Sequence, residues 1–109
     1  MSKKVALLNT TIATVDGMFE VRTISLEQAR EIAQSNELLS AIGHDSTAQI
    51  MTELLQVNIP VNRIQFAQEE NQVALVFKLK GRAPEGVILD RAGIEAIGYE
   101  FKTMTLISL

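Results

Sequence analysis

The chain contains no cysteine and a single histidine, His44, in 109 residues. Without cysteine there is no disulfide, no thiolate nucleophile and no zinc site built on sulfur, a pattern that suits the reducing cytoplasm. One histidine per subunit excludes a multi-histidine metal centre and a Cys/His catalytic pair, so no metal site is expected. Long apolar runs are missing too. Lys3 and Lys4 precede only Val5 to Leu8 before Asn9, which is too short for a signal peptide or a membrane span. Positive charge is not in excess either: the net charge of -3 argues against a protein that coats long nucleic acid by neutralising phosphates. A small anionic ligand stays open, because it needs only a local cluster of donors and cations.

Repeats, low-complexity segments and Pro/Gly-rich linkers are likewise lacking, so residues 1–109 are expected to form a single domain. Its 47% apolar content is ample for one core, and an apolar face left over on so small a domain favours a homodimer. Val5-Ala-Leu-Leu8 reads as a buried central strand, and Phe19 to Ile24, which alternates, as a strand nearer an edge. Ser25 followed by Gln28 forms a capping-box pattern ahead of Leu26, Ala29, Ile32 and Ala33 at helical spacing, which predicts a helix to about Gln34. Leu38 to Ile42 reads as a second buried strand. Gly43-His44 ends it, and Asp45 and Ser46 offer caps for a helix whose apolar face carries Ile50, Met51, Leu54 and Leu55.

Arg63 to Gln68 and Gln72 to Leu79, separated by Glu69-Glu70-Asn71, predict a hairpin with a three-residue loop. A loop over 80–86 follows, then a short helix capped by Asp90 and ended by Gly98, then a strand from Tyr99 to Leu106. The expected fold is α/β, a mixed sheet of five to six strands flanked by helices in the order β-β-α-β-α-β-β-α-β.

Three places in this order carry polar chemistry. Gly43-His44-Asp45-Ser46-Thr47 sets an imidazole beside free backbone N–H groups and hydroxyls at a helix N-terminus, an arrangement that binds anions. There His44 can give a proton to an oxygen leaving phosphorus. A capped helix whose histidine only fills the junction would read the same way. Adjacent Ser46, His44 and Asp45 cannot adopt triad geometry. The loop Lys80-Gly-Arg-Ala-Pro-Glu-Gly86 can bring Arg82 to a phosphate and Glu85 to a hydroxyl, or be a solvated turn. Asn9 ends the first strand, where open α/β sheets place ligands, and would equally serve a turn.

Asn9, the run AIGHDST over 41–47, Asn62-Arg63 and GRAPEG over 81–86 together resemble the viral ring nucleases. These are small dimeric anti-CRISPR proteins of archaeal viruses and bacteriophages, with relatives in other mobile and host elements. The likeness covers Val5 to Asn9 and roughly residues 38–106, and Gly-His-Asp-Ser-Thr is its specific part. Where the family has a serine after its Asn, this chain has Ile12, with Thr10 and Thr11 just before it.

The resemblance implies metal-independent cleavage of cyclic tetra-adenylate, with no cofactor, which would silence type III CRISPR immunity. A ribose 2′-hydroxyl attacks the adjacent phosphorus, the 5′-oxygen leaves, and linear di-adenylate with a 2′,3′-cyclic phosphate remains. In this scheme His44 is the general acid and Glu85 orients the ribose or the attacking hydroxyl. Arg82 clamps phosphate, and Asn9, Thr10, Thr11, Gly43, Asp45, Ser46 and Thr47 bind substrate. Two copies related by a two-fold axis would address opposite phosphodiesters of the ring. Two other readings stay open: a protein that sequesters a cyclic nucleotide without cleaving it, and an interaction protein of a virus or mobile element.

Overall fold

The computed structural model describes residues 4–81 and 91–108. Strands β1 (Val5–Leu8) and β2 (Met18–Ile24) lead into helix α1 (Leu26–Ser35). Then come β3 (Leu38–Ser40), α2 (Asp45–Leu55), β4 (Val73–Leu79), α3 (Arg91–Ile97) and β5 (Tyr99–Ser108). The five strands form one mixed sheet in the order β2-β5-β4-β1-β3. β1 runs parallel to both β3 and β4, while β5 is antiparallel to β4 and β2. The expected α/β class, the interior position of β1 and the edge position of β2 all hold.

Residue alternation along the strands sorts the core into two layers. Val5, Leu7, Leu75, Phe77 and Phe101 face the helices and meet Ala29 and Ala33 of α1, Met51 and Leu54 of α2 and Ile94 of α3. Ala6, Leu8, Ala74, Val76 and Met104 form the opposite layer, against which Phe19, Ala41 and Phe66 pack.

The helix starts follow the sequence in one case and depart from it in another. Ser25 caps α1 as expected: its hydroxyl accepts from the Gln28 N–H (3.1 Å), and the Gln28 side chain accepts from the Ser25 N–H (3.0 Å). From α1, Arg30 Nε donates to Leu54 O (2.7 Å) and Gln34 Nε2 to Leu55 O (3.1 Å). These bonds satisfy carbonyls at the end of α2 that the helix leaves open. α2 is thereby locked to α1 at its C-terminal end, and Gln56, in the left-handed region at φ 59°, turns the chain away.

Three expectations need correction. The hairpin over 63–79 does not form, because β4 already has β1 on one side and β5 on the other, and no lane is left for a partner. Residues 61–69 run instead as a non-strand segment. Asn62 N–H donates to Ile42 O (2.8 Å) and Asn62 Nδ2 to Ser40 O (2.8 Å) at one end. At the other, Gln68 Nε2 donates to Gln72 O (2.7 Å) and Met104 O (2.8 Å). The turn before β4 does exist, closed by Gln72 N–H to Glu69 O (3.0 Å) with Asn71 at φ 66°.

Secondly, β3 stops at Ser40 and is an edge strand with two half-buried residues, not a buried strand to Ile42. At Ile42 the backbone groups are spent off the sheet: Ile42 N–H donates to Ser40 Oγ (3.3 Å) and Ile42 O accepts from Asn62 N–H (2.8 Å). Thirdly, the N-cap of α2 is His44, not Asp45 or Ser46. At α3, Gly98 closes the helix at φ 90°, its N–H reaching Ile94 O (2.9 Å). Asp90, expected to cap that helix, lies outside the described residues.

Candidate functional site

Because β3 and β4 both run parallel to β1, which lies between them, Asn9, Gly43-His44 and Lys80-Gly81 all leave the sheet at the same end. Ligands of open α/β sheets bind at this carboxyl end of the strands. The exit from β3 is fixed by residues twenty positions away. Arg63 Nε donates to Gly43 O (2.8 Å), and Asn62 N–H holds Ile42 O. These bonds release the chain at Gly43, so helical geometry begins at Asp45 and His44 is left in the capping position with extended backbone (φ -127°, ψ 132°).

That displacement matters chemically. The His44 carbonyl accepts the first helical bond from Ala48 N–H (3.0 Å), yet its side chain makes no capping bond. The N–H groups of Asp45, Ser46 and Thr47 therefore have no acceptor among the described residues and are available to an external anion. His44, Asp45 and Ser46 are exposed, Gly43 and Thr47 half-buried.

A groove of about 530 Å³ lies over this turn, lined by Gly43, His44, Asp45, Ser46, Val61 and Arg63. The structure thus brings together four of the expected site residues. Thr47 is in the same turn but does not line the groove, nor do Asn9, Thr10 and Thr11, which are exposed beyond β1. Arg82 and Glu85 lie outside the described residues.

Arg63 is the site residue to which sequence reasoning gave no role. Its Nε is spent on Gly43 O, and its terminal nitrogens make no hydrogen bond among the described residues, which leaves a cation on the groove wall. A signal existed in Asn62-Arg63, but only the contact with Gly43 turns that pair into part of a site. Alongside lies a second groove of about 410 Å³, sharing Asp45 and Val61 with the first and extending along α2 past Ala48, Gln49, Asn58 and Ile59.

The fold and the groove define a small α/β domain with a polar cleft at the carboxyl ends of its parallel strands. Residues 5–101 match the STIV B116-like family, and the chain belongs to it. It is 33% identical over 104 residues to the uncharacterized protein YddF of Bacillus subtilis strain 168, covering 94% of this chain and 96% of that one. It is 35% identical over 100 residues to the uncharacterized protein ORF117 of Acidianus two-tailed virus, 86% of each chain. The fold is that of B116 of Sulfolobus turreted icosahedral virus, with a TM-score of 0.74 at 23% identity over 94% of this chain and 99% of that one. Relatives of the chain thus occur in a bacterium and in viruses. No helix among the described residues is long and apolar enough to cross a membrane.

Proposed function

We propose that this protein is a metal-independent ring nuclease that cleaves cyclic tetra-adenylate and so antagonises type III CRISPR immunity. The observation that carries the reading is the N-terminus of α2, left without a side-chain cap, where the exposed imidazole of His44, the free backbone N–H groups of Asp45 and Ser46 and the Arg63 guanidinium line one groove. Such a set suits a phosphodiester: the N–H groups and the cation hold its oxygens, and the imidazole stands beside the bond to be broken.

The reaction needs no protein nucleophile. The ribose 2′-oxygen forms a bond to phosphorus and releases its proton to solvent water, the bond to the 5′-oxygen breaks, and that oxygen takes the proton carried by His44. Arg63 joins Arg82 as a candidate clamp for the charge on phosphorus, and Glu85 retains the orienting role that the family resemblance implies. One histidine per chain matches a homodimer in which each copy serves one of two opposite phosphodiesters.

Product identity is the test. Protein incubated with cyclic tetra-adenylate in excess chelator should yield linear di-adenylate ending in a 2′,3′-cyclic phosphate, resolved by chromatography and mass spectrometry. Intact ring held tightly by stoichiometric protein would replace this reading with sequestration.

A further inference from the structure

The chain holds three aspartates, and only Asp16 is followed by glycine. Asp16 and Gly17 end the segment that joins β1 to β2, and both are exposed. The Asp16 carboxylate makes no hydrogen bond or ion pair among the described residues, and the Gly17 N–H makes none either. Gly17 lies at φ 148°, a backbone region open to glycine and strained for a residue with a side chain. The turn therefore calls for glycine at this position, which leaves the nitrogen that follows Asp16 unshielded. Both flanks are held. Upstream, Thr14 Oγ1 accepts from Gln68 N–H (2.9 Å), and downstream Met18 already pairs with Ser108 of β5.

A side-chain carboxyl beside an unhindered amide of the next residue can close a five-membered ring. We propose that Asp16-Gly17 is a modification site at which aspartate isomerises to isoaspartate without an enzyme. The Gly17 nitrogen bonds to Asp16 Cγ, the Cγ–OH bond breaks, and the hydroxyl leaves as water with the proton of that nitrogen, giving a succinimide. One water then adds back. Opening at the main-chain carbonyl carbon carries the chain through Cβ and Cγ, and opening at Cγ restores aspartate. The isomer lengthens the backbone by one atom. β2 absorbs it, because its register with β5 already shifts between Met18 and Phe19, and such an irregularity is where a strand takes up extra backbone. Asp45 is the comparison within the chain: it is the first residue of α2, and helical geometry holds the Ser46 nitrogen away from its carboxyl. The inference stands apart from the His44 groove and does not depend on its chemistry.

The test is a time course of the full chain in warm, mildly acidic buffer, digested with trypsin and resolved by reversed-phase chromatography with electron-transfer fragmentation. The tryptic peptide 5–22 holds Asp16 as its sole aspartate. It should split into two peaks of equal mass, the new one accepting a methyl group from S-adenosylmethionine through an isoaspartyl methyltransferase. Asp16→Glu, whose ring would need six members, should lose the second peak; Asp16 is exposed and unpaired among the described residues, so folding is retained. Asp16→Asn should form the same ring with loss of ammonia and raise the yield of isoaspartate. A single unchanging peak for peptide 5–22, or isoaspartate appearing at Asp45 as fast as at Asp16, would overturn the proposal.

Discussion

A Cβ built on Gly43 would lie 3.2 Å from Arg63 Cγ, close enough that the arginine must give way. The same arginine holds Gly43 O through Nε at 2.8 Å, so the displacement falls on the contact that sets the His44 turn. Gly43→Ala is expected to lower stability by about 1 kcal/mol. In the Arg63→Ala background the same substitution should cost less, because the clashing side chain is gone. Denaturant unfolding of the two single variants and the double variant checks this, and strict additivity would contradict it. At this scale His44 was legible from sequence, as a lone imidazole among Gly, Asp, Ser and Thr. Its true capping position was not, since it depends on bonds from Asn62 and Arg63 across the fold. Arg63 was hidden for the same reason: its role exists only once β3 and the 61–69 segment meet.

Among elements, local signals read well and long-range ones did not. The capping box of α1 is a property of four consecutive residues, and it formed as the sequence implies. Ser25→Ala should cost about 1 kcal/mol of stability, read as a lower denaturation midpoint with unchanged slope. The Arg63–Gln68 segment carries a strand pattern, but pairing is decided by which lanes of the sheet are free, and β1 and β5 occupy both lanes beside β4. What holds this segment is Gln68, 3% exposed, whose amide bridges Gln72 O and Met104 O. Gln68→Ala strips a donor from two carbonyls, and we expect a loss of about 2 kcal/mol by the same measurement. A loss within the error of the midpoint would show that water replaces the amide at no cost.

For the whole molecule, β1 and β5 read correctly because an unbroken apolar run and a long alternation need no knowledge of neighbours. The parallel set β3-β1-β4 then puts Asn9, His44 and the segment after Leu79 at one end of the sheet, a juxtaposition the sequence only hinted at through separate motifs. A shared pocket for a four-fold ring further requires two copies of the chain. Light scattering is expected to give about twice the 12.0 kDa chain mass. A stable monomer that still turns over the ring would contradict the shared pocket.

In the proposed reaction His44 delivers the proton to the departing 5′-oxygen. The most direct test of that step is the single-turnover rate of cyclic tetra-adenylate cleavage, with protein in excess and chelator present, for the unaltered chain and for His44→Ala. Cleavage in the variant is expected to be at least a hundredfold slower, in the range about 10²–10⁴ typical of a lost general acid, with the ring still bound. Equal rates for the two proteins would contradict it.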